Sequence, residues 1–426
     1  MTWRLSPSSK NYSLMNNAKT MKKNNPEIRF KGFEDDWESH QLNYYLVVSS
    51  DKNQSEEYDK YDIYSVSREY GVVNQIAYQG KSFAGASLTN YGVVSTGDVV
   101  YTKSPLKSQP YGIIKTNEGQ VGIVSALYGV FHPSEGVNST FVQTYFELDS
   151  RLNDYLRPLV NKGAKNTLLI SDADSLKGDV IFPKKDEQEK LVALFSTLDK
   201  IIRKLELKLE KLRKIKQSLL KQMFTDANGG GYATPLIRFK SYNEAWQMER
   251  ASDIFTPFYE KNHPELPVLS ASQEFGMVIR NDIGFNIQHD HSNESGYKRV
   301  LPGQFVIHLR SFQGGFAHSA VEGITSPAYT VMELKSSQNQ YDKFWKYVLT
   351  SKTFIKRLET VTYGIRDGRS IGFDDFGTLT QIFPKKDEQK SIADFLIITD
   401  NYIRTNEKKL TKIRTMKQSL LHKMFA

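Results

Sequence analysis

The stretch from Phe182 to Phe224 reads FPKKDEQEKLVALFSTLDKIIRKLELKLEKLRKIKQSLLKQMF, and the stretch from Phe383 to Phe425 reads FPKKDEQKSIADFLIITDNYIRTNEKKLTKIRTMKQSLLHKMF. They are identical at 22 of 43 ungapped positions, at a constant offset of 201 residues. Unrelated segments of ordinary composition would share roughly 3 positions. The chain therefore contains an internal duplication, and each of the two copies ends in one of these stretches.

Both stretches have the pattern of a long amphipathic helix, because apolar residues recur at 3-4 spacing. Asp186, followed three residues later by Glu189, predicts a capping box at the start of the first helix, and no Gly or Pro follows before Gly229. The second helix is predicted to begin at Asp387, with Lys390 in place of the capping Glu. A helix of about 38 residues spans about 57 Å.

The apolar positions form a coiled-coil seam, which neither helix can bury alone. Two such helices in one chain are predicted to pair antiparallel with near two-fold symmetry and to hold the two modules that precede them at opposite ends of a spacer. Asn406 enters the seam, where a buried Asn often fixes the register. The seam includes Ile201, Ile215, Phe395 and Met416. We expect helix pairing to depend most on Leu198, Leu205, Leu212, Leu219, Ile403, Leu410, Ile413 and Leu420.

Each helix also carries apolar residues outside the seam, at Leu207 and Leu220 in the first copy and at Ile397 and Leu421 in the second. One interpretation is a docking surface for helices of a partner. The other is ordinary packing on the chain's own modules, and the sequence does not choose between them.

The modules that precede the helices are related more weakly. Pro26, Ile28, Arg29, Phe30, Lys31 and Trp37 match residues 209 positions later, from Pro235 to Trp246. Further on, SxSREYGVV from Ser65 corresponds to SxSQEFGMV from Ser270, GIVSALY to GITSPAY, and KGAK to YGIR. The flanks agree while the interiors diverge, which indicates two modules on one scaffold that recognise different things.

Short β-rich runs with turn residues fill both modules, and helical segments at 140–156 and 340–358 interrupt them. The predicted class is α+β: two α/β modules separated by two long antiparallel coiled-coil helices, as a pseudo-two-fold internal repeat. The expected boundaries are a disordered leader at 1–25, a first module at 26–185, a first spacer helix at 186–224, a glycine-rich linker at 225–235, a second module at 236–386 and a second spacer helix at 387–426.

Composition narrows the choice of partner. Lys and Arg outnumber Asp and Glu by 57 to 48, a net charge of +9, and no low-complexity tail carries the excess. A basic surface spread over folded domains favours a polyanion, with nucleic acid first, although it is also compatible with simple solvation. The chain has no cysteine and no apolar run long enough for a membrane span, so a reducing compartment, the cytoplasm, is expected.

The chain resembles the specificity (S) subunits, HsdS-like, of type I restriction-modification enzymes, from about Pro26 to the C-terminus. The likeness rests on an ordered set of motifs that occurs twice: P-x-I-R-F-K with a following Trp, G-D or G-Q before a β run, G-I-x-S before a Tyr, a G-x-K/R element, and F-P-x-x-x-E-Q opening a helix that ends L-L-x-x-M-F. The two copies of the G-x-K/R element differ in detail: Lys165 aligns with Arg366, and Lys162 aligns with Tyr363.

The resemblance implies that each module is a target-recognition domain for one half of a bipartite DNA sequence, and that the helices set the distance between halves. It also implies two methyltransferase (M) subunits and motor-nuclease restriction (R) subunits as partners on double-stranded DNA in a prokaryotic cell. The sequence has no Asn/Asp-Pro-Pro-aromatic motif, no glycine-rich adenosylmethionine loop and no phosphate loop. We therefore expect no catalytic residue and no cofactor in this chain, with S-adenosylmethionine, ATP and Mg on the partner subunits.

DNA binding requires cations for phosphates and forked donors or amides for base edges. The G-x-K/R pair is the strongest candidate, because it recurs in both modules, and about half of the full set is expected to be ordinary surface cations. The candidates are Arg68, Lys81, Lys103, Lys107, Gln109, Lys162, Lys165, Arg280, Lys298, Arg299, Arg310, Gln313, Arg366 and Arg369.

Two other functions remain open at this point. A coiled-coil scaffold could bridge two protein partners without reading bases, and a nuclease with an unfamiliar site could use Asp374, Asp375 or the segment from His289 to His291. The histidines are expected to lie in a solvent loop rather than to bind a metal, and the two aspartates are expected to lie in a turn.

Overall fold

The structure is a computed structural model, and it describes residues 3–5, 25–85, 87–106, 108–162, 168–224, 234–272, 275–283, 291–308, 315–358 and 371–425. The chain divides into two compact units, the first containing Met1–Glu206 with Lys408–Ala426 and the second containing Leu207–Glu407. Each unit therefore combines one module with a segment of both long helices.

The first unit is built on two four-stranded sheets, with strand orders β6-β5-β10-β7 and β4-β11-β8-β9. All strand pairs in them are antiparallel except β5 with β10. Three short ladders complete the unit: β1-β2, β12-β13 and β14-β3. The strands are β1 Trp3–Leu5, β2 Ile28–Phe30, β3 Glu38–Gln41, β4 Leu46–Val48, β5 Ile63–Ser67, β6 Gly71–Asn74, β7 Gly92–Val94, β8 Val99–Thr102, β9 Ile113–Thr116, β10 Gly122–Val124, β11 Tyr128–Pro133, β12 Asn161–Lys162, β13 Leu168–Leu169 and β14 Asp179–Phe182.

The second unit repeats the β4-β11-β8-β9 sheet of the first unit as β16-β23-β20-β21. Its described residues also form three two-stranded ladders: β15-β24, β17-β18 and β19-β22. All of these pairs are antiparallel. The strands are β15 Gln247–Arg250, β16 Phe255–Phe258, β17 Leu269–Ser272, β18 Gly276–Ile279, β19 Lys298–Val300, β20 Phe305–Ile307, β21 Phe316–His318, β22 Gly323–Thr325, β23 Thr330–Leu334 and β24 Thr380–Phe383.

In the described ranges, eight short helices accompany the sheets and two long helices follow the modules. Both predicted helical segments are confirmed, although each is divided into two helices. The helices are α1 Gln75–Gln79, α2 Ser139–Tyr145, α3 Asp149–Leu156, α4 Asp172–Ser175, α5 Lys185–Met223, α6 Ala251–Ile254, α7 Asp342–Leu349, α8 Lys352–Leu358, α9 Phe373–Gly377 and α10 Lys386–Lys423.

The buried strands explain why the modules fold as sheets. Every residue of β8 and of β20 is buried, and both strands are rich in β-branched or aromatic side chains. Helix α2 covers the β4-β11-β8-β9 sheet through Phe141, and α7 covers the β16-β23-β20-β21 sheet through Phe344 and Trp345. The predicted α+β class is confirmed.

The two long helices confirm the central prediction from the duplicated stretch, since α5 has 39 residues and α10 has 38. The predicted capping box is wrong. Helix α5 begins at Lys185, so Asp186 lies inside its first turn, where its negative charge interacts favourably with the positive end of the helix dipole. Helix α10 likewise begins one residue before Asp387.

Part of the predicted seam is also wrong. Ile201, Ile215 and Met416 are exposed, and Phe395 is more exposed than Leu396, which is fully buried. A heptad pattern drifts around a helix that has 3.6 residues per turn, so residues at the edge of the apolar stripe turn toward solvent. Asn406 is buried as predicted, and its Nδ2 donates to the Tyr402 carbonyl within the same helix.

Two smaller expectations also differ from the structure. The first strand, Trp3–Leu5, lies within the predicted leader and pairs antiparallel with Ile28–Phe30, where the backbone groups of both strands find partners. Asp374 and Asp375 lie on α9 rather than in a turn, and the Asp375 carboxylate accepts a hydrogen bond from the Gly372 N–H at its start. None of the helices in the described ranges is both long and apolar enough to cross a membrane.

Candidate nucleic-acid interface

The repeated Arg at the start of each module fastens the start of the long helix, and in the first copy Trp37 does so as well. Arg29 donates to both carboxylate oxygens of Glu187 at 2.7 Å, and Trp37 Nε1 donates to the same carboxylate at 3.2 Å. In the second copy Arg238 makes the same two contacts with Glu388, also at 2.7 Å. Both carboxylates are buried, so the pairing neutralises a charge that would otherwise be costly to bury. These residues support the scaffold.

The glutamine that follows each of these glutamates joins the helix to its module. The Gln188 Oε1 accepts from the backbone N–H of Asn138 at 2.9 Å, and Gln389 Oε1 accepts from the N–H of Tyr341 at the same distance. Each side-chain amide also donates to the carbonyl of the proline before the helix. The E-Q motif therefore satisfies buried backbone groups where module and helix meet.

The ends of the long helices are buried in the units to which they belong. Phe425 packs against Trp37 and Phe195 in the core of the first unit, with ring centroids at 6.2 and 5.6 Å. Phe224 lies 5.7 Å from Phe344 in the core of the second unit. The L-L-x-x-M-F ending is therefore a core element, and each helix ends in the unit that contains the other module.

Ion pairs fix the direction in which the helices run within the first unit. Lys417 Nζ, which is buried, pairs with Glu147 of the module and lies 2.5 Å from Asp199 of α5. Arg414 pairs with Glu206. Moving forward along α5 from Asp199 to Glu206 corresponds to moving backward along α10, so the two segments are antiparallel.

The second unit repeats these pairs at the offset of the duplication. Arg213 lies 2.5 Å from Glu407, and Lys216 lies 2.5 Å from Asp400. Asp400 also accepts a hydrogen bond from the Tyr347 hydroxyl at 2.8 Å. The same antiparallel register is therefore built twice from equivalent residues.

The residues predicted to pair the helices differ in burial. Three are buried, namely Leu198, Ile403 and Leu410. The other five are partly buried: Leu205, Leu212, Leu219, Ile413 and Leu420. Outside the seam, Leu421 is buried, and Leu220 and Ile397 pack on the core of the second unit. Leu207, by contrast, is 61% exposed.

Three DNA-contact candidates of the first module have polar partners inside the module. Arg68 donates to both oxygens of Asp149 at 2.8 and 2.6 Å, and Lys103 lies 2.6 Å from Asp172. Gln109 is buried and donates to the same Asp149 at 2.5 Å. Contact of Arg68 or Lys103 with a phosphate would require exchange of a carboxylate for that phosphate.

Two further candidates complete the described part of the first module. Lys81 is exposed, with its ammonium 4.9 Å from the centre of the Phe83 ring. Lys162 lies on β12, and nothing is described of its side chain. Lys107 and Lys165 lie outside the described residues.

In the second module, Arg299 is held between two carboxylates. It donates to Glu260 at 2.7 Å and to Glu322 at 2.5 and 2.9 Å. His263 joins this cluster, and hydrogen bonds to Glu265 and Glu260 raise its pKa above the ordinary value of 6.5. The cluster is partly exposed, so solvent screens its charges.

The other described candidates of the second module are Lys298 and Arg280. Lys298 donates to the Tyr329 carbonyl at 2.6 Å, and burial lowers its pKa. Arg280 donates to the Ser270 hydroxyl at 3.1 Å. Four candidates fall outside the described residues: Arg310, Gln313, Arg366 and Arg369. The recurring G-x-K/R pair therefore stays a prediction.

Comparison with solved structures identifies the fold. The crystal structure of the type I restriction-modification system S subunit from M. genitalium matches with a TM-score of 0.58 and 11% identity, over 94% of this chain and 99% of that one. This chain has the type I S-subunit fold. The HsdS subunit from Thermoanaerobacter tengcongensis is a more distant likeness, with a TM-score of 0.44 and 13% identity over 91% of this chain and 96% of that one. No family model and no curated protein matches the sequence.

Within this S-subunit fold, the described ranges contain no group of three His, Asp or Glu side chains that could hold a metal. His289 and Asp290 lie outside those ranges, and the side chain of His291 is not described. A feature missing from the sequence-based candidates is an exposed aromatic side chain, Tyr70 in the first module and Phe275 in the second. Its signal was present in the sequence as the aromatic residue shared by REYGVV and QEFGMV.

Proposed function

We propose that this chain is the non-catalytic DNA sequence-specificity subunit of a type I restriction-modification complex. One observation carries the proposal: the S-subunit fold extends over nearly the whole chain, including both modules and both long helices. A match to one module alone would be compatible with many β-rich domains. The match to the S subunit covers 94% of this chain and 99% of the other, so it includes both copies of the duplication.

Each module is proposed to read one half of a bipartite DNA target. The scaffold contacts recur in both copies, from Arg29 and Arg238 to the buried helix ends, while the candidate base-reading residues differ between the modules. Two surfaces that differ on one retained scaffold suit two different half-sites. The net charge of +9 favours DNA as the common ligand.

The proposed partners are two methyltransferase subunits and, through them, motor-nuclease restriction subunits, in the cytoplasm of a prokaryotic cell. S-adenosylmethionine, ATP and Mg would be bound by those subunits. The exposed Leu207 is a candidate contact for a partner helix.

Selection of duplex DNA from a random library tests the DNA-reading role directly. The full chain is co-expressed with its methyltransferase subunits, and bound duplexes are sequenced after several rounds. The proposal predicts a two-part sequence with a constant gap, bound with a steep loss of affinity as salt rises. If the complex assembles but enriches no DNA sequence, the result would favour the rival function, a coiled-coil scaffold that bridges two proteins.

Lengthening the helices tests their role in setting the gap. Seven residues are inserted between 206 and 213 of α5 and between 407 and 414 of α10, which keeps the heptad phase and leaves both arginine–glutamate pairs intact. Seven residues add about 10 Å of helix, or about three base pairs of DNA. The selected half-sites should stay the same while the gap grows, and a change in the half-sites instead would contradict this role.

A further inference from the structure

Each module has a hairpin whose turn exposes one aromatic side chain. In the first module β5 and β6 pair antiparallel, and Tyr70 ends the turn between them with 52% of its surface exposed. The N–H of Tyr70 donates to the Ser67 hydroxyl at 3.3 Å, and Gly71 follows with a φ of +74°, a conformation that favours glycine. The ring is therefore presented from a fixed turn.

The second module places equivalent residues at the two ends of the corresponding hairpin turn. Strands β17 and β18 pair antiparallel, and Phe275 ends the turn with the same 52% exposed. Its N–H donates to the Ser272 hydroxyl at 3.3 Å, and Gly276 follows with a φ of +77°. The serine, the aromatic ring and the glycine are all kept across the duplication.

The difference between the two rings is informative. A single exposed aromatic side chain needs no explanation. Here, however, the ring recurs at one position in two modules whose interiors have otherwise diverged. Because one copy has tyrosine and the other phenylalanine, the shared feature is the flat apolar ring and not a hydroxyl hydrogen bond.

An arginine accompanies each turn. The guanidinium of Arg404, an exposed residue of α10, lies 5.8 Å from the centre of the Phe275 ring within the second unit. Arg68 lies in the turn of the first module, two residues before Tyr70, and its guanidinium is paired with Asp149. An exposed flat ring beside a cation complements a ligand that offers apolar base surfaces next to phosphates, which is duplex DNA.

We propose that Tyr70 and Phe275 are DNA wedge residues, each of which packs its ring against a base-pair step beside the half-site read by its module, with Arg404 on a neighbouring phosphate. This inference rests on the proposed function and deepens it. Aromatic and aliphatic wedges of this kind partly unstack a step and bend the duplex. Both wedges would act on any target sequence, because every base has a flat face.

The test uses the full chain assembled with its methyltransferase subunits and the duplex obtained by selection, with 2-aminopurine placed at successive steps beside each half-site. Wild type is expected to raise the fluorescence at one step per half-site. Tyr70→Ala and Phe275→Ala should each abolish their own signal and weaken binding about 5- to 150-fold. Arg404→Met should lower the slope of log affinity against log salt by about one.

Tyr70→Phe is the conservative control and should behave as wild type, since only the ring is required. Tyr44→Ala, which removes an equally large exposed ring elsewhere in the first module, should also bind as wild type. Should the alanine variant fail to fold, Tyr70→Gln, which keeps a side chain of some length but no ring and no apolar tip, replaces it, and retained affinity and fluorescence there would overturn the proposal.

Three other results would overturn the inference. Unchanged DNA binding by both alanine variants would show that the rings touch no DNA. Loss of assembly with the methyltransferase subunits would make the turns a protein contact, and equal weakening by Tyr44→Ala would show a non-specific effect. A wild-type complex that selects no sequence would instead refute the proposed function, so the two failures are distinguishable.

Discussion

Replacing Phe425 by alanine is expected to destabilise the first unit strongly, although this residue stands next to the end of the sequence. Its ring is buried and lies 6.2 Å from Trp37, 5.7 Å from Phe141 and 5.6 Å from Phe195, each measured between ring centroids. The Arg151 guanidinium also lies over it, at 5.2 Å. The ring therefore links the last turn of α10 to the module core.

The expected loss follows from these contacts. Truncating a buried phenylalanine to alanine costs about 3–5 kcal/mol, because apolar burial is lost and a cavity remains. Aromatic neighbours at these distances and orientations place the effect in the upper part of that range. Met416→Ala, at an exposed position of the same helix, should cost less than about 0.5 kcal/mol and serves as the matched control.

Hydrogen exchange with mass spectrometry on the full chain measures the effect unit by unit. Phe425→Ala should lower protection across residues 26–206 and leave residues 234–358 close to wild type. Chemical denaturation gives the corresponding change in the free energy of unfolding. A loss below about 1 kcal/mol, or one spread equally over both units, would refute the account of the helix end as a core element.

Three further predictions concern charged groups. Arg29→Met leaves the buried carboxylate of Glu187 without its cation and should cost about 3–5 kcal/mol in chemical denaturation, and a cost below about 1 kcal/mol would contradict the buried pair. Lys417→Met should cost more than Arg414→Met, because the Lys417 ammonium is buried whereas the Arg414 pair is exposed and worth at most about 1 kcal/mol, and melting curves that rank them in reverse would contradict this. His263 has a raised pKa, so its contribution to stability is complete below pH 6.5 and is lost as pH rises through the raised value. His263→Asn should therefore flatten that part of the profile of Tm against pH. Parallel profiles for the variant and wild type would contradict this contribution of His263.

The long helices could be predicted from the sequence because their signal is local. Apolar spacing, the absence of Gly and Pro, and the 22 identities between copies all lie within 43 residues. Local signals fail at the edges of the pattern. The spacing placed Phe395 in the seam, whereas Leu396 is the buried residue. Apolar spacing predicts which face of a helix is apolar, but it does not show which residues of that face another part of the chain covers.

The candidate interface depends on partners distant in the chain, and for that reason the sequence predicted it only in part. Arg68 is paired with Asp149, 81 residues away, and Arg29 with Glu187, 158 residues away. A lysine or arginine in a sequence shows a charge but not whether a carboxylate already neutralises it. The shared aromatic at Tyr70 was visible in the duplication, yet its exposure follows only from the hairpin.

Mapping methylated adenines across a host genome tests the central claim most directly. The chain is co-expressed with its methyltransferase subunits in a host that lacks this modification, and single-molecule sequencing compares cells with and without the chain. The specificity role predicts one new two-part motif with a fixed gap that appears only when the chain is present. No new methylation from a complex shown to assemble, or the same motif in its absence, would contradict it.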